Sequence, residues 1–376
     1  MKIIHVISLL DPELSFGGPT RVALTQLKAL QEAGHEVLLV AGVQGFDPRA
    51  LAEYDGVPVK AFRAHRIPGI GFAGLFSPGM LGWLLRARLA ADIIHIHLAR
   101  DLVSAPAAGL VKLRKMPFVA QTHGMIDESA RRLARLLDAV LIRRLLRSAR
   151  TLFALTEKEE TDLLAVQPGL QNIQILPNGM DPSAFSVDLD AEPIEVLFLA
   201  RLQERKRPLE FIHAARRLSK DFPDAVFTLA GPDGGQLQAV QAALADDDGQ
   251  GRIRFAGSIP PEDVRRRMSM SNVYVLPSLN EPFPMTVLEA MSTGVSVVTM
   301  EDCGLAPLVE KAGGEVAGFG VGELVEGIRR LLADAGRRKA FAGAAPALLA
   351  EEFGIDRVVG QLVASYRYGK QSGFAK

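Results

Sequence analysis

Residues 277–294 read PSLNEPFPMTVLEAMSTG, and this stretch decides the fold. The apolar run ending at Ser278 reads as a strand, Glu281 falls in the loop after it, and Pro284 stands where a first helical residue is favoured. An apolar helix carrying Glu289 follows, and then the run VSVVTM at 295–300 reads as another strand. A loop between a strand end and a helix start carries backbone amides at the positive helix end. The amides of Met285, Thr286 and Val287 therefore read as anion donors, with Glu281 ahead of them and Glu289 deeper in the helix.

Outward from this stretch the same pattern repeats. Apolar strand-like blocks (IEVLFLA, AVFTLAG, RIRFAG, VYVLPS) alternate with helical periods such as RPLEFIHAARRLS. Continuous Val/Ile/Leu blocks belong to parallel strands covered on both faces by crossover helices. The first half has the same grammar, with KIIHVISLL, HEVLLVAG, DIIHIHL, PFVAQTHG and TLFALT as strands and Gly34 as a helix stop. Between the halves, QILPNGMDPSAFSVDLDAEP is dense in turn formers and reads as a linker. The expected class is α/β, with two Rossmann-like doubly wound domains facing across a cleft. The first spans 1–178 and the second 190–355, and a C-terminal helix over 356–376 is expected to cross back to the first. Open parallel sheets bind ligands beyond the carboxyl ends of their strands, so candidates are sought there.

Composition narrows the function. With 376 residues, 48% hydrophobic and 23% charged, the chain can build two ordinary cores. Its formal net charge of zero gives no reason to expect a nucleic-acid partner. The single cysteine, Cys303, can form neither an internal disulfide nor a thiolate metal site, and reads as a small packed side chain in a reducing, cytoplasmic setting. The apolar run after Lys2 is cut by Asp11 without a small-residue cleavage site, and is expected to be a strand rather than a signal peptide.

Other candidates sit at strand ends. Arg201 follows the strand IEVLFLA and Lys206 lies five residues on, a fork and a point charge suited to a diphosphate. Neighbouring Arg205 and Arg207 read as a solvated basic loop. Gly17 and Gly18 precede the first helix, where glycine permits close backbone approach to a ligand. Neither the G-x-G-x-x-G dinucleotide spacing nor a P-loop is present, which argues against a dehydrogenase or an ATPase. His123, in QTHGM, sits at a strand end and offers a hydrogen bond to a substrate hydroxyl. His95 and His97 are placed on opposite faces of their strand and read as packed groups. No His/Cys/Asp group has metal-ligand spacing, so no metal and no cofactor is expected.

Taken together these residues resemble glycosyltransferase family 4, retaining enzymes of the two-domain GT-B fold. The resemblance rests on the Glu281-x7-Glu289 element, the Gly17-Gly18 loop, the Arg201/Lys206 pair and the segments QTHGM and ILPNGMD, in order along nearly the whole chain. It implies that Glu289 holds the ribose hydroxyls and that Glu281 and His123 meet the donor sugar. Arg201 and Lys206 would grip the diphosphate in place of a metal, while Gly18 lets a loop close over it. The donor would be a UDP- or GDP-linked sugar and the acceptor a glycan or polyprenyl-linked saccharide, in exopolysaccharide, capsule or O-antigen type biosynthesis. Pro284 stands where many relatives carry glycine, and the nucleotide stays open. A sugar-nucleotide epimerase or hydrolase of the same fold, or a non-catalytic nucleotide-sugar-binding protein, would share these features.

Local charge suggests a further partner. Residues 86–150 hold thirteen Lys or Arg against five acids. ARRLARLLDAVLIRRLLRSAR reads as a basic amphipathic helix, and Trp83 stands close to Arg86 and Arg88. Peripheral contact with an anionic membrane on its cytoplasmic face is the corresponding expectation.

Overall fold

The computed structural model describes residues 1–12, 17–87, 90–129, 132–181, 183–245 and 251–371. The chain divides into two compact units, Met1–Gly179 together with the chain from Ile355 onward, and Met180–Gly354.

In the first unit the strands are β1 (Lys2–Leu10), β2 (Glu36–Val43), β3 (Glu53–Tyr54), β4 (Val57–Arg63), β5 (His65–Arg66), β6 (Leu75–Phe76), β7 (Ile93–His97), β8 (Phe118–Gln121), β9 (Leu152–Ala154) and β10 (Ile173–Ile175). Eight of them form one sheet in the order β10-β9-β8-β7-β1-β2-β4-β3, parallel except for the short β3–β4 pair, while β5 and β6 make a separate hairpin. Strand order reverses at β1, with β2 on one side and β7 on the other. Both faces are covered, as the continuous apolar runs require. One face packs Ile4, Val6, Ile94 and Ile96 against the helix Ser104–Leu113. The other packs Ile3, Ile7 and Leu39 against the helix Gly17–Glu32 and against Val358, Leu362 and Tyr366 of the C-terminal helix Ile355–Gln371.

The second unit holds β11 (Glu195–Leu199), β12 (Val226–Ala230), β13 (Ile253–Phe255), β14 (Val273–Leu276), β15 (Ser296–Met300) and β16 (Glu315–Ala317). They form one wholly parallel sheet in the order β13-β12-β11-β14-β15-β16. This is the doubly wound order with its switch point between β11 and β14, where the loops after the two strands diverge and leave room for a ligand. On the other side of β11, Gly231 at the end of β12 shows how tightly neighbouring loops meet. At φ 140° it lies so close to the Ala200 carbonyl that a Cβ would stand 1.9 Å from the oxygen.

Candidate functional site

The two loops at the β11/β14 switch point carry most of the sequence candidates. Arg201 follows β11 and is exposed, its Cγ lying over Gly234 where a Cβ would meet it at 2.8 Å. Lys206 closes the short turn Glu204–Lys206 and is largely covered. Its ammonium is paired with Glu281 Oε2, and Arg205 Nη1 reaches the same oxygen at 3.0 Å. Arg205 therefore belongs to the cluster, a correction to its reading as a solvated side chain. A charged carboxylate 9% exposed needs cationic partners to offset lost hydration, and two arrive from one turn. Arg207 is turned elsewhere, its Nη2 donating to the Phe319 carbonyl at 2.8 Å. Burial pulls the Lys206 ammonium below the ordinary lysine range, and Glu281 opposes that shift.

The Glu281 loop is fixed from three sides. Leu279 N–H donates to the Arg205 carbonyl at 3.0 Å, Asn280 N–H to Asp302 Oδ2 at 2.6 Å, and Gly304 N–H to the Glu281 carbonyl at 2.9 Å. Asn280 takes φ 48°, which asparagine tolerates better than most residues. Gly304 is demanded by contact, since a Cβ there would stand 1.9 Å from the Pro282 carbonyl oxygen.

The helix after this loop runs Met285–Thr293 with Pro284, the expected first helical residue, outside it as the N-cap at ψ 107°, so the helix starts one residue later than expected. That placement changes one candidate. The Val287 N–H donates to the Pro284 carbonyl at 3.0 Å, closing the first turn instead of pointing out toward a ligand. Met285 and Thr286 are half-buried at this turn, and Thr286 Oγ1 is hydrogen-bonded at 2.7 Å to the Tyr274 hydroxyl, whose ionisation burial pushes well up. Glu289 is 7% exposed, one turn further along. Cys303 is buried nearby, and burial raises its thiol.

In the first unit His123 follows β8 at φ 53°, with Gly124 at φ 70° after it. The turn is held by Glu159, which sequence reasoning passed over. Its carboxylate accepts from Thr122 Oγ1 at 2.5 Å, Gly124 N–H at 2.5 Å and Leu155 N–H at 2.7 Å. Burial raises the Glu159 carboxyl against the lowering effect of these donors. The Thr156-x-x-Glu159 spacing of a capping box was its available signal, and Thr156 does cap the helix Glu157–Val166.

His123 Nε2 lies 2.7 Å from His97 Nδ1, and His97 Nε2 lies 3.1 Å from His5 Nδ1. His95 stacks on His97 at 4.7 Å and 4°. The two rings share a face, which corrects the expected opposite faces, because side chains two apart on a strand point the same way. Burial lowers His5, His95 and His97 well below the usual imidazole range and His123 to about 3. The fold thus gathers imidazoles that lie ninety residues apart in sequence, a grouping invisible to ligand spacing.

Gly17 opens the first helix and Gly18 follows it; a Cβ at Gly18 would meet nothing within 4 Å, so packing does not require glycine there. The segment 13–16 ahead of them lies outside the described residues, as do Arg88 and Arg131 of the basic stretch. Trp83 packs against Phe62 at 5.6 Å and is partly buried in the core.

Two family models match in tandem. "Glycosyl transferase 4-like domain" covers residues 17–179 and "Glycosyl transferases group 1" covers 181–347. The chain belongs to the glycosyltransferases of the family-4 type and has the GT-B fold. It is 27% identical to the glycogen synthase of Mycobacterium tuberculosis, over 94% of this chain and 91% of that one. It is also 27% identical to the 2-deoxystreptamine glucosyltransferase of Streptomyces kanamyceticus, over 91% of this chain and 97% of the relative. Among solved structures, Anabaena HepE in complex with UDP superposes with a TM-score of 0.78 at 19% identity, covering 98% of this chain and 100% of the other. The protein is accordingly a transferase of glycosyl groups.

Proposed function

We propose that the protein moves a sugar from a nucleoside diphosphate donor to a glycan or polyprenyl-linked acceptor, with retention at the anomeric carbon and without a metal. The observation that carries this reading is the cluster of Lys206, Arg205 and Glu281 beside the β11/β14 switch point, next to the start of the helix Met285–Thr293. A diphosphate leaving group needs positive charge that grows in value as the bond to the sugar breaks. Lys206, Arg201 and Arg205 supply it from this chain, with the Met285 and Thr286 end of the helix adding its dipole. Glu289 holds the ribose hydroxyls and Glu281 meets the sugar. His123 turns toward a sugar hydroxyl, and the Gly17-Gly18 segment serves the phosphates.

Transfer then breaks the bond from the anomeric carbon to the phosphate oxygen and forms one to the acceptor oxygen on the same face. The acceptor proton passes to the departing phosphate oxygen, so no separate protein base is required. Relatives whose structures contain UDP support a nucleotide-sugar donor. Pathway and acceptor rest on the family resemblance, with exopolysaccharide, capsule or O-antigen assembly as the setting.

Contact with an anionic membrane is proposed for the outward face of residues 132–148, where Arg135, Arg143, Arg144 and Arg147 are exposed beside Leu136 and Val140. Basic and apolar side chains on one outward face suit a headgroup surface. No helix among the described residues is long and apolar enough to cross a membrane.

The test incubates the protein with UDP-, GDP- and ADP-linked sugars, with and without candidate acceptors. A donor at about a hundredfold its Kd should stabilise the fold by about 2.7 kcal/mol. Acceptor-dependent release of the nucleoside diphosphate supports the proposal. Consumption of donor at the same rate without acceptor would show an epimerase or hydrolase instead.

A further inference from the structure

Arg100 stands three residues beyond β7, at the carboxyl end of the first sheet, where a cation would ordinarily read as an anion ligand. Its guanidinium is fully occupied within the protein instead. Nε donates to Asp138 Oδ1 at 2.8 Å and Nη2 to Asp138 Oδ2 at 3.1 Å, a two-point fork. Nη1 donates to the Met125 carbonyl at 3.3 Å and to Asp127 Oδ1 at 3.1 Å, and Nη2 donates to the Asp127 carbonyl as well. A guanidinium has five N–H groups, and each of these has an acceptor. The Arg100 and Asp138 side chains are 12% and 6% exposed, so removing either would leave the other charge poorly hydrated and without its partner.

The acceptors lie on two segments. Met125 and Asp127 follow His123 by two and four residues on the chain leaving β8, and Ile126 between them is fully buried in the core. Asp138 opens the π turn Asp138–Ile142, a kind of turn that recurs at functional sites. The His123 turn is therefore gripped from both sides. Glu159 holds Thr122 and Gly124, which flank the histidine, and Arg100 holds Met125 and Asp127 beyond them. A histidine at φ 53° keeps that left-handed backbone only where its surroundings over-determine it, and these two clamps supply the constraint.

We propose that Arg100, seated by Asp138, is a positioning residue for transfer: it holds the chain after His123 so that the imidazole keeps its place against the reacting sugar. The proposal rests on the reading that His123 meets a sugar hydroxyl. With every N–H engaged, Arg100 has no donor left for a substrate and acts only through the segment it holds. Its five acceptors lie on three residues in different directions. A lysine ammonium, one nitrogen with three donors, cannot span them, so Lys is not a conservative replacement here.

The experiment measures transfer kinetics and calorimetric affinity for UDP and GDP on full-length Arg100→Lys, Asp138→Asn, His123→Ala and the double variant of Arg100→Lys with His123→Ala. Arg100→Lys and Asp138→Asn should each lower kcat about tenfold, the scale of a misplaced reacting group, with nucleoside diphosphate affinity unchanged. The double variant should transfer no more slowly than His123→Ala alone, because a residue acting through His123 has nothing to position once the imidazole is gone. Wild-type kcat in Arg100→Lys, or losses that multiply in the double variant, would overturn the inference. If Arg100→Lys does not fold, Asp138→Asn, which keeps an acceptor for Nε and sets an amide against Nη2, takes its place in both the single and the double variant. Histidine ¹⁵N NMR judges the positioning separately from the sugar contact. The His123 resonances should shift in Arg100→Lys or Asp138→Asn while those of His65 and His213 stay, and an unmoved His123 contradicts the proposal. If His123 shifts but His123→Ala transfers normally, the sugar-facing reading fails and the positioning of the turn stands.

Discussion

In the second unit Glu281 meets two cations, Lys206 and Arg205, whereas in the first unit His5, His95, His97 and His123 are bonded to one another and to Tyr366. The ion cluster stands beyond the carboxyl ends of parallel strands and the histidine cluster runs from inside β1 and β7 to the turn after β8; both withdraw polar groups from water. The ion cluster does so by pairing charge, and a surplus cation is then available to an incoming anion. The histidine cluster does so by surrendering charge, since burial lowers each imidazole. The first arrangement suits a diphosphate. The second suits a rigid, uncharged packing of rings behind the turn that carries His123.

The largest effect should come from removing the surplus charge. Lys206→Ala is expected to lower kcat about a hundredfold or more in a coupled assay of nucleoside diphosphate release, the range found when one preorganised stabilising group is lost. Arg205→Ala should cost less, because its guanidinium is more exposed and shares the oxygen that Lys206 already holds. Equal losses would break the distinction between the two cations.

On the first unit the matching cut is Glu159→Ala, which strands three donors, Thr122 Oγ1, Gly124 N–H and Leu155 N–H. Loss of about 3 kcal/mol in urea denaturation is expected, with His123 released from its φ 53° turn. Unchanged stability would mean that the turn holds itself. Gly304→Ala should cost about 1–3 kcal/mol and shift the Glu281 loop, since its Cβ meets the Pro282 carbonyl.

The same contrast predicts pH behaviour. The folded-state imidazoles lie below their unfolded value of about 6.5, so the unfolded chain takes up protons first as pH falls. The stability they contribute is complete above pH 6.5 and is lost on descent below it, by up to about 1.4 kcal/mol per pH unit for each of the four. Burial raises Glu159 and Asp101, which opposes the loss in the carboxylate range. Thermal unfolding followed from pH 8 to 5 checks this: a flat profile would show that the four imidazoles are not buried and neutral.

What could be read from sequence follows from the range of the interactions. Parallel-sheet strands announce themselves in local composition, and Glu281 and Lys206 were legible because strand ends in an open α/β sheet point at one region. Arg205 was misjudged because its partner lies seventy-six residues away. The Val287 amide was misplaced by a one-residue difference in where the helix starts. Tyr366 and His5 carry no local signal at all, being joined by a contact across 361 residues. The faces of His95 and His97 were within reach of the period of a strand.

The most direct test of the central claim is calorimetric titration of UDP and GDP into wild-type and Lys206→Ala protein, with the corresponding nucleosides as controls. A wild type that prefers one diphosphate, a variant binding it at least tenfold more weakly, and no change for the nucleoside are predicted. Equal affinity of both proteins for the diphosphate would contradict the assignment of Lys206 and its cluster to the pyrophosphate.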